Sequence, residues 1–132
     1  MVSIVIVSHS KRLAEGVKEL LNQTVKGNVI VESVGGLAID PKVIGTDPLA
    51  IKRAILHVMD SGGVLIVCDL GSAIISSKAA IKMLPKEIRE KVIIADAPLV
   101  EGSFAAAVEI SSGGSLNDAR NAAEDSKNLR KV

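Results

Sequence analysis

Four short runs, VSIVIV at 2–7, VIVES at 29–33, VLIVC at 64–68 and VIIA at 92–95, are rich in valine and isoleucine. A strand with one wet face alternates apolar and polar residues. A run without alternation is covered on both sides, as in a parallel sheet flanked by helices. Between the runs apolar residues recur at helical spacing: Leu13, Val17, Leu20, Leu21 and Thr24; Ile51, Ala54, Ile55 and Val58; Ile75, Ala79, Ala80, Met83 and Leu84; Val100, Phe104, Ala107 and Val108. A last helix is expected from Leu116 toward Leu129, with a frayed tail. Strands alternating with helices predict an α/β domain built on an open, mostly parallel four-stranded sheet with helices on both faces. Right-handed crossovers allow the strand order 2-1-3-4, which puts the first and third strands side by side.

Local chemistry marks the element ends. Asp47 before Pro48 reads as an N-cap with proline at the first helical position, Gly62-Gly63 stops the second helix, and Pro85 ends the third. No repeat, low-complexity tract or linker interrupts residues 1–132, so a single domain is expected.

Composition narrows the function. A net charge of +1 gives no pull toward nucleic acid or an anionic membrane. Phe104 is the only aromatic residue, which argues against bases or sugars stacked on rings. Cys68 stands alone, so no internal disulfide forms, and one cysteine with two distant histidines has no zinc spacing; no metal and no cofactor are expected. The segment MVSIVIVSHS lacks the basic start and apolar length of a signal peptide or membrane span, and a cytoplasmic protein is expected. Asn22-Gln23-Thr24 matches a glycosylation sequon but falls within a helical pattern.

Each strand is followed by residues the fold alone does not demand: Ser8-His9-Ser10; Gly35-Gly36 and then Gly45-Thr46-Asp47; Asp69-Leu70-Gly71-Ser72-Ala73; Asp96-Ala97-Pro98. In a parallel sheet all lie at the carboxyl edge, where ligands bind at the switch point of strand order. With the first and third strands adjacent, His9 faces Asp69. A carboxylate on one imidazole nitrogen fixes the tautomer and leaves the other nitrogen as a nucleophile. Helices starting near Ser10, Pro48 and Ser72 turn free N–H groups to the same rim and favour an anion, phosphate above all.

Plainer readings stand beside these. A lone histidine at a strand end is commonly a surface residue, an aspartate there commonly a helix cap, and Gly-Thr-Asp-Pro is explained as a turn and cap. His57, with Arg53 and Asp60 on the polar side of the second helix, reads as solvated, and Cys68 as a small core residue. The sequence has no G-x-S-x-G elbow, no P-loop and no G-x-G-x-x-G after the first strand.

The strings IVSHSKRLAEGVKELLNQ at 6–23, VGG at 34–36, IGTDPLAI at 44–51, DLGSA at 69–73 and DAPLVEGSFAAAV at 96–108 together resemble the DhaM family. These are the phosphotransferase subunits of PEP-dependent dihydroxyacetone kinases, within the mannose-type EIIA superfamily of the phosphotransferase system. The resemblance implies an EIIA-type phosphoryl-carrier domain, usually a homodimer, in which His9 accepts a phosphoryl group from HPr. That group passes to ADP held by the DhaL subunit, and the ATP formed serves DhaK downstream. On this reading Asp69 orients His9, while Thr46, Ser72, Ser10 and the backbone of Gly71 receive the phosphoryl oxygens. Leu70 and Leu37 would shield the intermediate, and HPr and enzyme I would be separate proteins. Sugar-specific EIIA domains tend to carry glycine before the histidine and a longer glycine-rich loop after the third strand, so Ser8-His9-Ser10 and Asp69–Ala73 favour the dihydroxyacetone branch. The alternatives are a sugar EIIA donating to an EIIB domain, and a binding module of the same fold without phosphoryl chemistry.

Overall fold

The computed structural model describes residues 1–132. Strands β1 (Ser3–Ser8), β2 (Val31–Gly35), β3 (Val64–Cys68) and β4 (Val92–Ile94) form one sheet in the order β2-β1-β3-β4. All three pairings are parallel, with Ile4 opposite Val31 and Leu65, and Ile66 opposite Ile94. The expected α/β class and strand order are those observed. Every residue of β1 and of β3 is buried, as their unbroken aliphatic character requires.

The helices are α1 (Lys11–Thr24), α2 (Pro48–Val58), α3 (Gly71–Lys82), α4 (Lys86–Arg89), α5 (Leu99–Ser111) and α6 (Leu116–Asp125), followed by a 3-10 turn over Ser126–Asn128. One core lies between the sheet and α1, α5 and α6, where Ile4, Ile6, Leu65 and Val67 meet Val17, Leu21 and Ile110. The other lies beneath α2 and α3, where Val5, Val7, Val64 and Ile66 meet Ile51, Ile55 and Ala80. Even-numbered residues of β1 serve the first core and odd-numbered ones the second, the two-residue period of a strand.

Several boundaries differ from the sequence expectation. β2 begins two residues later than the run 29–33, because Ile4 pairs with Val31 and Ile30 stays exposed. Pro85 caps the short helix α4, which the apolar pattern did not announce. In α3 the buried positions are Ala73, Ser77 and Ala80, with Leu84 just beyond, while Ile75 and Met83 are exposed. In α5 they are Gly102, Ser103, Ala106, Ala107 and Ile110, while Val100, Phe104 and Val108 are exposed. Small residues face inward there because α6 and the β4–α5 connection lie close: a Cβ on Gly102 would come 2.8 Å from that of Ala97. Of the stripe predicted on α1, Val17 and Leu21 are buried but Leu13 and Leu20 are exposed.

Candidate active site

β3 ends at Cys68, opposite Val7, and β1 runs one residue further to Ser8, so Asp69 leaves its strand beside Ser8 and His9 at the carboxyl edge. The Asp69 N–H extends the ladder by donating to the Val7 carbonyl at 3.1 Å. His9 Nδ1 lies 2.8 Å from Asp69 Oδ1, which also accepts the Leu70 N–H at 2.6 Å. The other oxygen, Oδ2, accepts the Ser8 hydroxyl at 2.8 Å and the His9 N–H at 3.0 Å. Both side chains are sheltered without being enclosed: 16% of His9 and 12% of Asp69 remain exposed.

Burial pushes the Asp69 carboxyl upward. The hydrogen bonds from the His9 and Leu70 amides, the Ser8 hydroxyl and the His9 ring together outweigh it and hold the group below its ordinary value. An ionised carboxylate only accepts, so His9 Nδ1 donates and the neutral ring keeps its lone pair on Nε2. Nε2 faces the Ser72 hydroxyl, which donates to it. A nucleophilic nitrogen is thus turned toward the first turn of α3.

Both N–H groups of a loop neck converge on one atom. Gly36 and Gly45 donate to the His9 carbonyl at 3.2 and 2.9 Å, closing the loop between them. Glycine is required at 36 by φ of +79°. It is required at 35 by close approach, since a Cβ there would lie 2.6 Å from the Ser10 carbonyl oxygen. Leu37, Ile39, Val43 and Ile44 of the loop are exposed, Ile39 almost fully at 98%. With Leu49 and Leu70 they give the rim an apolar character unusual beside a polar centre.

The remaining predicted residues separate. Ser72 touches the imidazole, and Gly71 opens α3, a helix without a side-chain cap. The Ser10 hydroxyl caps α1 by accepting the Leu13 N–H at 3.2 Å. The Thr46 hydroxyl bonds the Ser76 hydroxyl at 2.6 Å rather than His9, so it ties the loop to α3. Ser76 was not anticipated, although it sits one helical turn after Ser72 and therefore shares its face. Leu70 and Leu37 are exposed at the rim. A cleft of about 710 Å³ opens between the first turn of α1 and Asp40–Ile44, with Lys11, Arg12 and Lys42 on its walls. Lys11 pairs with Glu15 at 3.8 Å.

His57 is exposed and bonds Glu32 at 3.0 Å, as its polar-face position implied. Cys68 is buried, and burial pushes its thiol up to about 11. No helix is long and apolar enough to cross a membrane, and no three His, Cys, Asp or Glu side chains gather as a metal site.

The sequence profile of the EIIA-man family, described as the PTS system fructose IIA component, matches residues 3–120, and the chain belongs to that family. Within it the chain is 44% identical over 109 residues to the phosphoryl donor subunit DhaM of PEP-dependent dihydroxyacetone kinase 2 from Listeria innocua, covering 83% of this chain and 86% of that one. It is 42% identical over 118 residues to the DhaM subunit of Escherichia coli, covering 89% of this chain. The chain spans about a quarter of the length of the Escherichia coli and Klebsiella michiganensis relatives, 25% and 27%. The crystal structure of a protein of unknown function superposes with a TM-score of 0.84 at 33% identity, over 94% of this chain and 93% of its own. An EIIA component from Streptococcus agalactiae shares the fold, with a TM-score of 0.70 at 17% identity over 99% of this chain and 97% of its own.

Proposed function

We propose that this chain is a phosphoryl carrier that holds the group on Nε2 of His9. The observation that carries the reading is the pairing of His9 Nδ1 with Asp69 Oδ1 at 2.8 Å, which leaves Nε2 as the free nucleophile. The Nε2 lone pair attacks phosphorus of a donor phosphohistidine in line, and the P–N bond to the donor breaks as the new one forms. The imidazolium so created is balanced by the Asp69 carboxylate. The Ser72 hydroxyl turns from Nε2 to a phosphoryl oxygen, and the first amides of α3, Gly71 and Ser72, face the same charge. Ser10 and Thr46 act by holding α1 and the glycine loop around the ring, a narrower role than direct contact with the phosphoryl group.

The donor in this reading is HPr, itself charged from phosphoenolpyruvate by enzyme I. The acceptor is ADP on a DhaL subunit, with DhaK downstream; the names of the relatives support a dihydroxyacetone kinase as the system served. The chain works in the cytoplasm as one 1–132 carrier unit and as a homodimer. The family description, which names a fructose component, favours a second reading in which the acceptor is an EIIB domain of a sugar transporter.

The test is transfer of labelled phosphate from phosphoenolpyruvate, enzyme I and HPr. Label is expected on the wild-type chain and absent from a folded His9→Ala variant; label persisting in that variant moves the site elsewhere. Presenting the labelled chain to DhaL with ADP, and separately to an EIIB domain, decides the acceptor.

A further inference from the structure

We propose that Ser8 is a positioning residue for His9: its buried hydroxyl locks the Asp69 carboxylate in the rotation that holds Nδ1 and leaves Nε2 reactive. The effect on rate rests on the carrier reading above, whereas the effect on the tautomer of His9 does not.

Ser8 stands at the end of the row Ile4, Ile6, Ser8 on one face of β1, and its exposure is 0%. A hydroxyl in such a place is costly unless its bonding is satisfied. Here both directions are used. The Ser8 oxygen accepts the Ser10 N–H at 3.0 Å and its O–H reaches Asp69 Oδ2 at 2.8 Å. A backbone N–H only donates and an ionised carboxylate only accepts, so the Ser8 oxygen accepts the first bond and its proton goes to the carboxylate. Oδ2 then has two donors, Ser8 and the His9 amide, while Oδ1 has the Leu70 amide and the imidazole. Of the two side chains that grip the carboxylate, only Ser8 is independent of the ring being positioned. Without it the His9 amide on Oδ2 and the Leu70 amide on Oδ1 are the only holds besides the ring, and the carboxylate is less strictly kept in the rotation that serves Nδ1. The same hydroxyl ties the first residue before α1 to the catalytic pair, so helix start and carboxylate are set together.

Ser3 provides the control. It lies on the same strand, is 1% exposed, and donates to the Val58 carbonyl at 3.1 Å at the far end of the sheet. Its loss affects folding through a bond of similar kind without touching Asp69.

The experiment compares Ser8→Ala and Ser3→Ala by imidazole nitrogen NMR at one alkaline pH, by denaturant stability and by the rate of His9 phosphorylation. Ser8→Ala is expected to shift the His9 nitrogens away from a pure Nδ1–H tautomer and to slow phosphorylation about tenfold, as loss of one charge-assisted hydrogen bond implies. Ser3→Ala is expected to lose stability while keeping the wild-type nitrogen shifts and rate. Unchanged His9 shifts and rate in folded Ser8→Ala overturn the proposal, as does an equal change in Ser3→Ala. Ser8→Cys keeps the volume with a weak donor and decides the matter if Ser8→Ala does not fold. If neither folds, the Ser8 hydroxyl proton of the wild type is sought directly: a slowly exchanging resonance supports the bond, and fast exchange refutes it. A tautomer shift in Ser8→Ala beside an unlabelled wild-type His9 defeats the carrier reading and leaves the positioning role intact.

Discussion

Asp69 and Gly71 are two residues whose roles at the rim separate stability from chemistry. Hydrogen bonding holds the Asp69 carboxyl below its ordinary value in the folded state, against the opposing effect of burial. Its stabilising contribution is therefore complete above the unfolded value of about 4 and is lost as pH falls through the lower folded value. The stability gap between wild type and Asp69→Asn is expected to be widest near neutral pH and to narrow below about pH 4. Denaturant titrations of both across that range check it; a constant gap refutes the linkage. Gly71 presents the opposite case. A Cβ there meets nothing within 4 Å, so the fold does not require glycine. Gly71→Ala is expected to leave stability unchanged or raise it by up to about 1 kcal/mol. The same variant keeps the Gly71 N–H and is expected to keep the wild-type rate of phosphoryl transfer, whereas Asp69→Asn is expected to lower it. Thermal unfolding and the labelling rate measure the two effects on one sample.

At the scale of elements, the aliphatic runs revealed β1, β3 and β4 well, whereas the edge strand β2, half-buried and carrying Glu32 and Ser33, was placed two residues early. The adjacency of β1 and β3, and with it the meeting of His9 and Asp69, was an order that right-handed crossovers allow without imposing it. Helix faces were less legible. On α5 the pattern favoured Val100, Phe104, Ala107 and Val108, yet of these only Ala107 faces inward, beside Gly102, Ser103 and Ala106. Hydrophobicity alone ranks a large exposed residue above a small buried one, and close packing against α6 reverses that order. The hydroxyl pairing of Thr46 with Ser76 was equally hidden, because it depends on side-chain rotamers and a loop path that periodicity does not encode. Packing also separates two helical glycines. A Cβ added at Gly16 would meet nothing within 4 Å, whereas one at Gly102 would come 2.8 Å from the Ala97 Cβ. Gly16→Ala is expected to stabilise by about 1 kcal/mol, and Gly102→Val to destabilise by about 1–3 kcal/mol. Chemical denaturation of the pair gives both signs.

Across the whole molecule, two aliphatic cores clamp one sheet, and the polar chemistry is confined to the edge where β1 and β3 stop. The placement of the polar residues at that edge was legible from the strand ends, and the aliphatic make-up of both cores agrees with a composition that holds a single aromatic residue. The loop from Gly36 to Gly45 belongs to neither core. Both of its ends hang from the carbonyl oxygen of His9, while its apolar tip projects into solvent. A fastening of that kind lets the tip be rewritten or lengthened without moving the stretch of backbone from which it hangs.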